Sequence, residues 1–158
     1  VAWAILHNGF STFSGLFAGV EADLTVDADP TKSSLSVTVP IDRVITGSAG
    51  LDNHLKTVDF FDVAKFPAAT FKSTSIVVTG PNTGKVTGDL TMHGVTRPLT
   101  LDVKFVKGAA NRGGQRLGFD ATGVIKRSEF GIKYGLPASG DDVEIRIGSE
   151  FRAQAPAA

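Results

Sequence analysis

The chain is 158 residues long, with 16 Lys+Arg against 16 Asp+Glu, no cysteine, 18 glycines, 11 phenylalanines and 42% apolar residues. These numbers describe one globular domain with enough chain to bury a core, and the missing cysteines exclude disulfides, thiolate metal sites and thiol catalysis. A net charge of zero with no Lys/Arg cluster removes the electrostatic footprint of a nucleic-acid binder.

The opening run Val1-Ala2-Trp3-Ala4-Ile5-Leu6, followed by His7-Asn8-Gly9, reads as a strand. It lacks the basic flank of a signal peptide, and no segment of the chain approaches the ~20 apolar residues of a membrane-spanning helix. From Ala18 to Val26 the even positions Ala18, Val20, Ala22, Leu24 and Val26 are apolar and alternate with Glu21, Asp23 and Thr25. A two-residue period marks a strand wetted on one face. It returns in Leu35–Ile41, Lys85–Met92, Leu99–Phe105 and Val143–Ile147, while Phe71–Val78 and Leu117–Ile125 are less regular but strand-like.

Turn chemistry separates these runs: Asp27-Ala28-Asp29-Pro30, Gly80-Pro81-Asn82-Thr83-Gly84, a reversal at Gly94, and Ala110-Asn111-Arg112-Gly113-Gly114. One stretch departs from the pattern. Over about 50–66, Leu51, Leu55 and Val58 have helical spacing, Asp52 and Lys56 are an i,i+4 pair, and Pro67 stops the run, predicting one or two short helices. Such an insert can plug a barrel mouth or cover an edge. The chain therefore reads as a mainly β, up-and-down antiparallel barrel of about eight strands, a single domain over 1–152 with a tail at 153–158.

Catalytic signals are sparse. His7, His54 and His93 form no H-x-H or H-x-x-x-H pair, so no metal site is expected. Gly47-Ser48-Ala49-Gly50 lacks the G-x-S-x-G spacing of a nucleophile elbow. Gly80–Lys85 has three residues between its glycines where a phosphate loop needs four, and reads as a hairpin turn. Asp59 and Asp62, at i and i+3, can share a helix face, and with Asp52 and His54 they supply the one constellation suited to acid–base work. The phenylalanines, Phe10, Phe13, Phe17, Phe60, Phe61, Phe119 and others, suit either a filled core or the lining of a cavity for a long apolar ligand.

The segment Leu51-Asp52-Asn53-His54-Leu55 through Phe60-Phe61-Asp62-Val63-Ala64-Lys65-Phe66-Pro67 to Thr74 closely resembles the YceI family of lipocalin-like, polyisoprenoid-binding proteins. The resemblance continues in Gly88-Asp89-Leu90-Thr91-Met92-His93-Gly94-Val95-Thr96-Arg97-Pro98 and in Arg127-Ser128-Glu129-Phe130-Gly131, and His7, Gly15 and Phe17 match the family's amino-terminal spacing. It implies a lipocalin-like barrel holding an isoprenoid, quinone-like or other lipid ligand. It further implies no catalysis, no cofactor beyond the bound lipid, a periplasmic or secreted location and a homodimer as a plausible assembly.

Strand parity then assigns the lining to Leu24, Val37, Val39, Phe71, Leu90, Leu99, Leu101, Phe119 and Ile145, with Phe13 and Phe17 near the entrance and His54, Asn53 or Arg127 at a polar head group. The competing readings are a hydrolase or isomerase using His54 and the neighbouring carboxylates, and a ligand-free structural or stress protein with a filled core.

Overall fold

The computed structural model describes residues 1–154, the side chain of Asn111 excepted, so most of the expected tail at 153–158 lies outside the described residues. Its elements are β1 (Ala2–His7), β2 (Ser11–Phe17), β3 (Glu21–Thr25), β4 (Ser34–Pro40), β5 (Val44–Ile45), α1 (Ala49–Leu55), β6 (Ala68–Gly80), β7 (Thr83–Met92), β8 (Val95–Asn111), β9 (Gly114–Lys126) and β10 (Asp142–Arg152). Short 3-10 turns lie at Pro30–Lys32, Ile41–Arg43 and Arg127–Phe130.

All strand pairings are antiparallel, in the order β3-β4-β6-β7-β8-β9-β10-β1-β2-β5. The two ends of that order are joined by chain. β2 runs into β3 through Ala18-Gly19-Val20, and β4 runs into β5 through the Ile41–Arg43 turn. Pairing carries across the bend, from Leu16↔Ile45 and Phe17↔Val44 through the Ala18 N–H to the Arg43 carbonyl (3.2 Å) to Glu21↔Thr38. The sheet therefore curls into a barrel.

Ten strands stand where about eight were expected, because two staves are bent: β2/β3 at Gly19, whose φ is +70° and against which Arg43 packs, and β4/β5 at the 3-10 turn. Sequence reading passes over β2 because Gly15 interrupts its apolar alternation. The indole of Trp3, its register partner, occupies the space a Cβ there would need.

The helical stretch is shorter than the expected 50–66. Ser48 caps α1, its Oγ accepting from the Leu51 N–H at 3.4 Å, and regular helix ends at Leu55. The chain then folds back in tight turns, with the Phe61 N–H donating to the Leu55 carbonyl at 3.0 Å and Asp62 at φ +48°. No Asp52–Lys56 ion pair forms among the described residues, since Asp52 Oδ1 accepts from the Thr46 N–H (2.8 Å) and Oγ1 (2.6 Å). Asp59 and Asp62 consequently share no helix face.

Inside the barrel, Phe71, Val86, Leu90, Leu101, Phe130 and Ile145 form a buried cluster, extended by Leu35, Val37, Leu99 and Ala121 among others. Two bulges shift parity. In β6 the break between Ser73 and Ser75 turns Ile76 inward after Phe71, and in β8 Val106, 56% exposed, is the extra residue between Phe105↔Phe119 and Lys107↔Gly118, so the facing pattern changes beyond it.

At Gly88 the close approach is to backbone as well as to a ring, since a Cβ there would lie 2.5 Å from both the Lys72 carbonyl oxygen and the Phe71 ring. Backbone cannot yield as a flexible side chain can. Gly88→Ala is therefore expected to cost about 1–3 kcal/mol in urea unfolding. Gly50→Ala, in α1 with nothing within 4 Å of the new methyl, is expected to stabilise by about 0.5–1 kcal/mol.

Candidate functional site

A cavity of about 360 Å³ opens at the barrel end that carries α1, the β1–β2 turn and the β9–β10 connection. Its walls come from β1 and β2 (Trp3, Ile5, Phe13, Phe17), from α1 and the turns after it (Leu51, Leu55, Phe60, Phe61) and from the start of β10 (Val143, Ile145). Met92, Ile125 and Ile132 complete an apolar surface. The described residues of β3, β4, β6 and β8 contribute nothing to it. A wider depression of about 480 Å³ over β8–β10 is more open and mixed in character, with Thr100, Asp102, Thr122, Glu144 and Arg146 beside Pro98, Leu99 and Val124.

The expected lining residues divide accordingly. Phe13, Phe17, His54 and Ile145 do line the cavity. Val37, Phe71, Leu90, Leu99 and Leu101 face inward but belong to the packed cluster. Leu24 and Val39 are half-buried on the same side, and Phe119 stacks with Phe105 (5.4 Å) and Phe151 (6.1 Å) far from the mouth. Parity reports which way a side chain points, whereas whether the space in front of it is filled depends on strands distant in sequence. Leu51 and Leu55 were legible as an apolar i,i+4 stripe; Trp3, Ile5 and Tyr134 carried no signal that set them apart.

Aromatic rings bridge the mouth. His54, Phe60 and Tyr134 lie 5.0–5.1 Å apart, centroid to centroid, joining the turns after α1 to the β9–β10 connection. His54 Nε2 donates to Asp59 Oδ2 at 2.8 Å. Asn53 is exposed and outside the lining.

Arg127 lines the cavity as expected, with its guanidinium already committed to backbone carbonyls. It is 5% exposed, and its guanidinium donates to the carbonyls of Gly140 (2.8 Å), Tyr134 (2.8 Å), Ile132 (3.2 Å) and Ser139 (3.2 Å). It thereby ties down the 131–141 connection that forms one side of the mouth. Burial lowers its pKa, with Asp141 opposing. Asp141 in turn accepts from Ser128 Oγ (2.7 Å) and N–H (2.8 Å), and its carboxyl is held below the ordinary aspartate range chiefly by the Ser128 hydroxyl. The Arg-Ser-x-Phe-Gly run is thus a structural device: Phe130 is 2% exposed in the core and Gly131 takes φ +76° to leave the turn.

Among the described residues no cluster of three or more His, Asp or Glu side chains is placed to hold a metal, and no helix is long and apolar enough to cross a membrane. A YceI-like domain model matches residues 1–151. The chain is 40% identical to a UPF0312 protein of Pseudomonas putida strain GB-1 over 95% of this chain and 79% of that one. The structure is similar to that of BcnA from Burkholderia cenocepacia (TM-score 0.86, 25% identity, 95% of this chain and 94% of that one). It also shares its fold with a polyisoprenoid-binding domain from Saccharophagus degradans (TM-score 0.72, 13% identity, 97% and 92% covered).

Two outcomes follow from the Arg127 network. Arg127→Leu leaves buried carbonyls without donors and is expected to lower unfolding free energy by about 2–4 kcal/mol in urea titrations. The depressed Asp141 pKa contributes stability above the unfolded carboxylate value of about 3.9, and that contribution is lost as pH falls through the lower folded value. Wild-type stability should therefore decline below about pH 4, and Asp141→Asn should show a shallower acid limb in urea titrations taken down to about pH 2.5.

Proposed function

The chain belongs to the YceI-like domain family, and on that premise we propose that it is a non-catalytic carrier that sequesters the apolar part of an isoprenoid, quinone-like or other lipid ligand in the mouth cavity. The observation that carries the reading is the apolar wall around an open space of about 360 Å³. Burial suffices as a driving force: each methylene removed from water contributes about 0.8 kcal/mol, so a chain of a dozen carbons is held without directional chemistry after ordering costs are met. The Saccharophagus domain described as polyisoprenoid-binding shares the fold, which is compatible with this use of the interior. The family resemblance supports a periplasmic or secreted location and a homodimer as further parts of the proposal.

The His54–Asp59 contact at the mouth supports a second reading, acid–base catalysis on an apolar substrate. The two are separable. His54→Ala abolishes turnover by an enzyme but leaves a carrier's affinity within about threefold.

Protein purified without detergent is expected to release a lipid of defined mass in native mass spectrometry, and apo protein to take up isoprenoids. Leu51→Glu, placing a carboxylate in the half-buried apolar wall, is expected to weaken that uptake about tenfold or more with little change in the urea midpoint. Repeated recovery of ligand-free protein that also takes up no isoprenoid overturns the carrier reading.

A further inference from the structure

Strand β1 sends one row of side chains to the cavity, Trp3, Ile5 and His7. Trp3, with Met92 and Ile145, also packs with the buried cluster, so these residues form the floor where hollow barrel meets filled barrel. His7 ends the row at the rim, about 13 Å further along the strand at roughly 3.3 Å per residue. An apolar residue would continue the pattern there. The chain places an imidazole instead, its centroid 5.6 Å from the ring of Phe13. The turn that follows is tight, with Asn8 at φ +50°, Gly9 at φ +73° and the Phe10 N–H donating to the His7 carbonyl at 3.0 Å.

The polar side chains of the mouth differ in the hydrogen-bonding capacity they have left. Arg127 is engaged with four carbonyls, and His54 donates its Nε2–H to Asp59, which leaves Nδ1 able only to accept. Across the mouth, Ser139 Oγ donates to Asn8 Oδ1 at 3.2 Å, and the Asn8 Nδ2 lies 3.4 Å from His7 Nε2. An amide nitrogen only donates, so His7 Nε2 accepts and the proton of the neutral ring sits on Nδ1. Two donors are left over, the His7 Nδ1–H and the second Asn8 Nδ2–H, and neither meets a protein acceptor among the described residues. Both residues are exposed and line the cavity, so a ligand entering the mouth reaches them.

Building on the carrier reading, we infer that His7 and Asn8 hold the ligand's head group at the β1–β2 turn, and that this head group presents a carbonyl oxygen, that of a ketone or quinone or of a carboxylate. The apolar tail runs from there past Ile5 to the floor at Trp3. Donors without acceptors select an oxygen that brings no proton of its own, and a hydrocarbon end gains nothing from them. The β1–β2 turn takes this role in place of Asn53, which lies outside the lining, and of Arg127, whose donors are engaged.

Trp3, the only tryptophan of the chain and a floor residue, reports occupancy of the cavity through its fluorescence. The test titrates wild type, His7→Phe and Asn8→Gly with geranylacetone, geranylacetic acid and the hydrocarbon that carries a methylene in place of the ketone carbonyl. His7→Phe keeps a ring beside Phe13 and removes both nitrogens, while Asn8→Gly keeps the positive φ and removes the carboxamide. For at least one carbonyl probe, the ratio of its affinity to that of the hydrocarbon is expected to fall about three- to tenfold in each variant. The probe with the larger fall tells ketone from carboxylate. In ¹⁵N-labelled wild type, the His7 Nδ1 resonance is expected to shift with that probe and to stay in place with the hydrocarbon. Ratios unchanged within about twofold for both carbonyl probes in either variant, or a His7 ring indifferent to both, overturn the inference while the carrier reading stands. Failure of wild type to bind any of the three probes removes both.

Discussion

Closure of the sheet is the constraint on which everything else rests. A strand-rich chain with one dry face must either cover that face or curl it around itself, and this chain curls. The bent staves β2/β3 and β4/β5 pair with each other across the bend, so that the outermost strands in the sheet order belong to neighbouring stretches of chain. Because a closed barrel of about eight staves is just wide enough for side chains to fill or for a small ligand to occupy, small differences in side-chain supply decide which happens. Here the interior does both. Phe71, Leu90 and Leu101 fill the side formed by β6, β7 and β8, and space remains beneath β1, β2 and α1.

The second requirement is that the open end hold its shape. Connections over a cavity cannot lean on a packed core, so their backbone groups need other partners. Arg127 provides them for the 131–141 segment, and α1 supplies Leu51 and Leu55 from the other side. The aromatic contacts of His54, Phe60 and Tyr134 then join the two sides across the mouth. A buried guanidinium bonded to carbonyls rather than to a carboxylate is a costly choice of partner. Its return here is geometric, since one planar fork gathers carbonyls at 132, 134, 139 and 140 in a single place.

Much of the fold was legible before any coordinate. Alternation of apolar residues located β3, β4 and β6–β10 in substance, turn chemistry located the reversals, and ordered motifs from Leu51 to Gly131 carried the family resemblance. The misses have identifiable causes. β2 was hidden because Gly15 stands where the pattern wants an apolar residue, and the glycine is there to admit the Trp3 indole. The helical stretch was overextended because Val58 continues the spacing of Leu51 and Leu55, whereas Asp62 at φ +48° and the Phe61 N–H bond back to Leu55 turn the chain out of helix.

The sequence by itself determined the β class, the antiparallel connectivity, the inward face of most strands and the family, because each of these is written in local period or in contiguous motif. Only the tertiary structure decided where the barrel is hollow. Leu101 and Ile145 read alike in a strand pattern, yet one is locked in the filled side and the other lies at the cavity floor. Side-chain volume is local, but empty space is what remains after distant strands, two bends and two bulges have set their distances, and no short stretch of residues contains that sum.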